Sequence, residues 1–233
     1  MNYQCAINFI LSFFLLLTFS CNSENEYFPY EEEKKVFYNV SFQDKESRKK
    51  IFRQSYYFLP KIKNNFPVLK NDGEIIFYEK SEKGIEKKKT NDFFSSEYKS
   101  TQSSSFLDKD LIIAFPISKE TKWETNDKTT LQMKVGYDRL FDTNLPFKLK
   151  NKIVNINDTI NLNGRKIKNC IKIVGYGKTS YDPGPPLGNI NIEISSSAWF
   201  AKNVGLVKYK REEKSDSETM GKIIYEKTML IND

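Results

Sequence analysis

The stretch VFYNVSF, residues 36–42, sets the pattern that predicts the fold. Its apolar side chains recur at every second position, and side chains two positions apart point to the same face of an extended strand. These side chains are Val36, Tyr38, Val40 and Phe42. The stretch therefore predicts a β-strand with one buried face.

Similar alternation, or an apolar run of strand length, recurs along most of the chain. The further strands predicted in this way lie at 73–80, 110–117, 129–135, 153–160, 166–176, 190–194, 205–213 and 222–231. The last two flank SDSETMG and predict a closing hairpin. One helix is predicted over 44–57 with Asp44 as its N-cap, although its aromatic end is equally compatible with a strand. The pattern favours an all-β, mainly antiparallel fold, either a curved sheet or a half-barrel or barrel, with at most one or two short helices.

An apolar run precedes these strands, AINFILSFFLLLTF at residues 6–19. A transmembrane helix needs about 20 apolar residues, whereas the core of a cleaved signal peptide has about 7–15. The run has the length of a signal core, although the residues before it include no Lys or Arg. The sequence therefore predicts an exported protein with a signal peptide over residues 1–20.

The end of this run, LTFSC at residues 17–21, resembles the bacterial lipobox. Ser20 fits the small residue before the cleavage point, while Thr18 and Phe19 depart from the strict consensus. The resemblance implies that acyl chains, palmitate among them, are attached to Cys21 and anchor the protein to the cell envelope. Asn22 implies the outer rather than the inner membrane. The alternative is an ordinary secretory signal that happens to precede a cysteine.

The remaining chain divides by composition. Residues 21–35 are polar and charged and predict a tether, and residues 36–233 predict the β domain. The serine-rich segment at 95–105 is a candidate internal boundary.

The formal net charge of +7 comes from basic residues that are scattered among acidic ones and not gathered in a stripe, so nucleic acid is not an expected partner. Anionic lipid, acidic polysaccharide or an envelope protein are the partners to consider, and a merely solvated surface is the alternative.

Histidine is absent from the chain, which excludes Ser-His and Cys-His nucleophilic pairs and imidazole metal sites. Cys5 lies in the signal peptide, and Cys170 stands alone in a predicted strand, where it would behave as a small apolar side chain. The segment GYGKTS at 175–180 lacks the first glycine of a phosphate-binding loop, and prolines follow it. We predict no catalytic residue, no metal ligand and no cofactor.

The stretch WFAKNVGLVKYKREEK, residues 199–214, resembles a recurring module of uncharacterised bacterial exported lipoproteins. AFPISKETKWE at 114–124 and NGRKIKNCIKIV at 163–174 are similar to two further blocks of that module. The resemblance implies an antiparallel β module in which Trp199 and Gly205 determine the fold. It implies no catalytic residue.

Two functions are compatible with these observations. The first is a non-enzymatic, lipid-anchored envelope protein that binds or scaffolds another envelope component. The second is a carrier that holds an acyl chain or other apolar molecule on an aromatic-rich concave face, supplied by 18 Phe and 13 Tyr. An enzyme such as a glycan hydrolase would need two carboxylates facing each other across a cleft. A cavity inside the sheet would favour the carrier.

Overall fold

The computed structural model describes residues 27–44, 48–88, 109–135, 139–185 and 187–231. Fourteen β-strands lie in these ranges. They are β1 Lys35–Gln43, β2 Lys49–Phe58, β3 Asn65–Lys70, β4 Ile75–Ser81, β5 Gly84–Lys88, β6 Lys109–Ala114, β7 Lys122–Lys128, β8 Gln132–Val135, β9 Arg139–Asp142, β10 Pro146–Leu162, β11 Arg165–Tyr181, β12 Ile190–Ala201, β13 Gly205–Ser215 and β14 Lys222–Met229.

Twelve of these strands form one antiparallel sheet, in the order β6-β5-β4-β3-β2-β1-β14-β13-β12-β11-β10-β7. Most neighbours are consecutive in sequence, as in hairpins. Two pairs of neighbours are not consecutive. They are β10 with β7, and β1 with β14, which joins the two halves of the chain and places Tyr38 opposite Met229. The remaining strands, β8 and β9, form a separate hairpin. The predicted all-β, antiparallel fold and the closing hairpin of β13 and β14 are confirmed.

The long sheet curves until its two edge strands meet, so that it is nearly closed into a barrel. At the seam, the indole Nε1–H of Trp123 on β7 donates to the carbonyl oxygen of Leu111 on β6 at 2.8 Å. Curvature brings the inward-facing side chains together, and covering the edges removes unpaired strand groups from solvent.

The interior is filled at one end by the segment that carries the β8–β9 hairpin. Leu131 and Met133 pack there against Phe147 of β10, Ile192 of β12 and Ile223 of β14. A second apolar cluster lies on β5, β6, β10, β11 and β12 and is built on Ile85, Ile113, Ile153, Ile171, Ile173 and Phe200. The core is therefore the inside of the curved sheet. None of the described residues forms a helix long and apolar enough to cross a bilayer.

The helix predicted over 44–57 is wrong. Residues 49–58 form β2, which pairs with the whole length of β1. Asp44 does not cap a helix. Its carboxylate accepts hydrogen bonds from the backbone N–H and the Nε–H of Arg48 and so joins the two ends of the β1–β2 connection. Backbone hydrogen bonds to β1 hold residues 49–58 in a strand, although the apolar pattern of these residues is weak.

The tether predicted over 21–35 is described only from residue 27. There, Tyr27 and Phe28 pack against the apolar cluster of the interior, and the ring of Tyr30 contacts Phe58 and Phe66 with centroid distances of 5.8 and 4.7 Å. This part of the segment is thus attached to the sheet. Residues 1–26 and the serine-rich segment at 95–105 lie outside the described residues.

Candidate functional site

The inner face of the curved sheet lines a partly open cavity of about 400 Å³. Ligand pockets in proteins commonly measure about 300–1,000 Å³ and have mostly apolar walls with a few polar groups. This cavity fits that description. Its apolar wall comes from both halves of the chain and includes Val36, Val68, Ile76, Ile173, Phe200 and Leu206.

Small residues on β11 and β12 help to leave this space open. Gly175 lies opposite Ser196, which lines the cavity. A Cβ atom on Gly175 would lie 2.4 Å from the Ser196 Oγ and 2.8 Å from the Asn151 Oδ1, so a larger residue would require these side chains to move. A Cβ atom on Gly177 would lie 2.5 Å from the ring of Phe147. The glycines of the GYGKTS segment therefore have a packing role within a strand.

Gly205 and Ala198 also line the cavity. Gly205 has a φ of +95°, a backbone conformation that favours glycine. The nearest atom to a Cβ added there is the Pro29 Cδ, at 3.7 Å. Its conformation rather than a lack of space therefore requires glycine at this position.

A lysine side chain, Lys227 of β14, reaches this cavity. Its Nζ lies 4.7 Å from the centroid of the Tyr56 ring and 5.5 Å from that of Tyr38, within the range of cation–π attraction. The ammonium also donates a hydrogen bond to the Tyr56 hydroxyl, which in turn donates to the Gln54 Oε1 at 2.8 Å. The lysine and the two tyrosines form one hydrogen-bonded aromatic cluster, which we call the Lys227 cluster.

Burial determines the protonation behaviour of the Lys227 cluster. The pKa of Lys227 is lowered to about 8, chiefly by desolvation and also by the positive charges of Lys70 and Lys87, while the negative charge of Glu74 opposes them. Burial raises the pKa of Tyr38 and Tyr56 above the ordinary value, so both hydroxyls stay neutral. Among the described residues, no carboxylate forms an ion pair with Lys227.

Two carboxylates, Asp110 and Asp127, also line the cavity. The Asp127 Oδ2 lies 2.6 Å from an Arg211 guanidinium nitrogen, so its charge is paired. Asp110 lies opposite Lys87 in the β5–β6 register, and both side chains reach the cavity. A glycan hydrolase would need two carboxylates free to act on substrate, and Asp127 is held by Arg211 instead.

Arg211 connects this wall to a buried carboxylate. Its Nε donates to the Glu213 Oε1 at 2.8 Å, and Glu213 is only 1% exposed. Glu213 also accepts from the backbone N–H groups of Thr130 and Leu131 and from the Thr130 hydroxyl. The network fixes the segment between β7 and β8, so it serves the architecture of the filled end. Within the described ranges, no three acidic or cysteine side chains come together as metal ligands would.

The residues singled out from the sequence lie in different places. Ser20 and Cys21 fall outside the described residues. Trp199 is not in the cavity: its Nε1–H donates to the Asp158 Oδ2 at 3.0 Å, and the Lys172 Nζ lies 4.9 Å from its ring. Of the module residues, Gly205 reaches the cavity and Trp199 does not.

The predicted behaviour of Cys170 as a small buried side chain agrees with its position. Cys170 is fully buried beside Leu162, Ala201 and Val207. Burial raises the pKa of its thiol to about 11, so it is not a nucleophile at neutral pH.

Lys227 was not among the residues predicted from the sequence. A signal was present, because Ile223, Tyr225 and Met229 alternate along the predicted strand and Lys227 stands in the same register. A lysine at an apolar position of a strand marks either the edge of a core or a buried charge. The neighbouring tyrosines come from β1 and β2, 189 and 171 residues away in sequence, and no local pattern connects them.

No family model and no curated protein matches this chain. Two solved structures are similar to it. One is a Bacteroides fragilis NCTC 9343 protein described as exported and as having a YmcC-like fold, with 12% identity and a TM-score of 0.39 over 88% of this chain and 98% of that one. The other is described as a lipoprotein of Parabacteroides distasonis ATCC 8503, with 11% identity and a TM-score of 0.37 over the same shares. TM-scores below 0.5 assign neither a family nor a function to this chain.

Proposed function

We propose that this protein is a lipid-anchored protein of the bacterial envelope that holds the acyl chain, or another apolar part, of a ligand inside its curved sheet. The observation that carries the proposal is the cavity of about 400 Å³ with its mainly aliphatic and aromatic wall. An interior filled by its own side chains would have favoured a purely scaffolding role. Burial of each methylene of a chain in such a cavity contributes about 0.8 kcal/mol of binding free energy.

The anchor rests on the apolar run at 6–19 and on Cys21. Acyl chains on this cysteine would hold the protein at a membrane surface, since two chains suffice for stable attachment. Such an anchor would place the cavity close to a supply of lipid.

The anchor is tested by feeding cells a clickable palmitate analogue. We expect label on the wild-type protein, no label on Cys21→Ala, and label retained on Cys170→Ala, the matched control. Label on the Cys21→Ala protein would show that the lipid attachment site is elsewhere or absent.

The cavity is tested with two neighbouring serines on β12 that face opposite sides of the sheet. Ser196 lines the cavity, and Ser195 is exposed. The processed chain, residues 21–233 with Cys21→Ser to keep it free of detergent, is titrated with the neutral fluorescent probe N-phenyl-1-naphthylamine, which dodecanol then displaces.

We expect Ser196→Leu to weaken probe and dodecanol binding by tenfold or more, because the added side chain occupies the cavity. Ser195→Leu should bind like the wild type. Thermal unfolding of both variants checks that each is folded. Equal binding by the two leucine variants, or no displaceable binding by the wild type, would contradict the proposal.

A further inference from the structure

The Lys227 cluster places one positive charge at the wall of an otherwise largely apolar cavity. An ammonium group has three N–H donors. Among the described residues, the Lys227 Nζ donates a hydrogen bond to the Tyr56 hydroxyl and to no other acceptor. Two of its three N–H donors therefore lack a protein acceptor. A buried charge without a partner is costly, and the free protein carries that cost.

Two charged groups in these surroundings, Asp127 and Lys70, are held in ion pairs. Asp127 is paired with Arg211 at 2.6 Å. Lys87, opposite Asp110 in the β5–β6 register, adds a second positive charge to the cavity wall. Lys70, whose charge acts on Lys227, is itself paired with Asp72 at 2.8 Å and with Glu74. Lys227 therefore supplies an uncompensated positive charge to the interior.

From these contacts we infer that the ligand is an amphiphile with an anionic head group, a carboxylate or a phosphate, which binds the Lys227 ammonium beside the Tyr56 hydroxyl while the chain lies against the apolar wall. The inference rests on the proposed function, since it names the class of ligand that the same cavity holds. A head group at this point would supply the missing acceptors, because carboxylates and phosphates form short, charge-assisted hydrogen bonds with ammonium groups.

The geometry also disfavours cationic amphiphiles. Tyrosine rings can bind quaternary ammonium groups, but the faces of Tyr38 and Tyr56 are already in contact with the Lys227 ammonium. A second cation there would meet charge repulsion in a poorly solvated site. The charge of the head group, rather than its aromatic surroundings, should therefore decide binding.

The test uses four ligands with one chain length and different head groups: dodecanoate, dodecyl phosphate, dodecanol and dodecyltrimethylammonium. Displacement of N-phenyl-1-naphthylamine from the processed chain is measured for each ligand at pH 7, with the ligand kept below its critical micelle concentration. The variant is Lys227→Met, which keeps the length of the side chain and removes its charge. Lys222→Met, on the same strand but paired with Glu212 outside the cavity, is the control.

We expect at least one of the two anions to bind wild type and Lys222→Met roughly 10- to 100-fold more tightly than dodecanol, the range that a hydrogen bond to a charged group gives. In Lys227→Met this preference should disappear while dodecanol binding is retained. The stronger of the two anions then identifies a carboxylate or a phosphate head group.

The inference is overturned if dodecanol binds wild type as tightly as both anions do, or if Lys227→Met keeps the anion preference. Either result leaves the cavity as a site for apolar chains. Failure of all four ligands to bind would instead overturn the proposed function, so the two failures are distinguishable.

Discussion

Lys227 stands in the apolar register of β14, on the same face as Tyr225 and Met229. Folding takes its ammonium out of water, and the rings of Tyr38 and Tyr56 compensate only part of that loss. A methionine of similar length would pack at this position without a charge. The lysine therefore costs the free protein stability, which is the usual cost of a site built for binding.

Because of this cost, Lys227→Met should raise the free energy of unfolding at pH 7, by on the order of 1–3 kcal/mol. Burial lowers the pKa of Lys227 from 10.5 to about 8. Between these pH values the unfolded chain holds a proton that the folded protein has released, so rising pH favours the folded wild type. The advantage of the variant should thus shrink as the pH rises from 8 toward 10.5.

Urea unfolding at pH 7 and pH 10 measures this difference. The other ionisable groups around Lys227 are present in both proteins, so the comparison isolates the effect of removing the lysine: Tyr38, Tyr56, Tyr78, Tyr209, Tyr225, Lys70, Lys87 and Glu74. Lys222→Met, which removes a partly exposed lysine, should change stability little at either pH. An advantage of Lys227→Met that is the same at both pH values would contradict the buried charge.

At the scale of elements, strands with clear alternation were predictable and weakly patterned ones were not. The strand predicted from residues 36–42 is β1, and those at 205–213 and 222–231 are β13 and β14. Residues 44–57 were predicted as a helix from a possible N-cap at Asp44 and a fragmentary apolar stripe, although their aromatic end was equally compatible with a strand. Pairing with β1 decides their structure, and pairing is a property of two segments together.

Neighbouring glutamates on β13 show how one strand serves two faces. Glu213 is buried and holds the segment before β8 through Thr130 and Leu131. Glu212 is partly exposed and pairs with Lys222 at 2.8 Å. The buried residue fixes the architecture, whereas the exposed one forms a surface ion pair.

Glu213→Ala should lower the free energy of unfolding by about 3–5 kcal/mol, because it leaves buried donors and part of the Arg211 charge without a partner. Glu212→Ala, the matched change on the other face, should cost less than about 1 kcal/mol. Chemical denaturation of the two variants makes the comparison. Equal losses would mean that the Glu213 network contributes no more than a surface pair.

At the scale of the whole molecule, the all-β class was predictable and the cavity was not. The barrel depends on the pairing of β1 with β14 and on the seam at Trp123, contacts between segments far apart in sequence. The free space further depends on small residues such as Gly175 and Ser196 meeting across two strands. Local periodicity reports which face of a strand is apolar, but not how much of the enclosed volume the side chains fill.

The most direct test of the central claim is an NMR measurement of where a bound chain lies. Isotope-filtered NOEs are recorded between unlabelled dodecanoate and the protein with ¹³C-labelled isoleucine methyl groups. Ile76 and Ile173 line the cavity, whereas Ile51 on β2 is 68% exposed. For a chain bound inside the sheet, we expect NOEs from the alkyl chain to Ile76 and Ile173 and none to Ile51. NOEs to Ile51 without any to the two cavity residues would show that the chain binds the outer surface of the sheet and not the cavity.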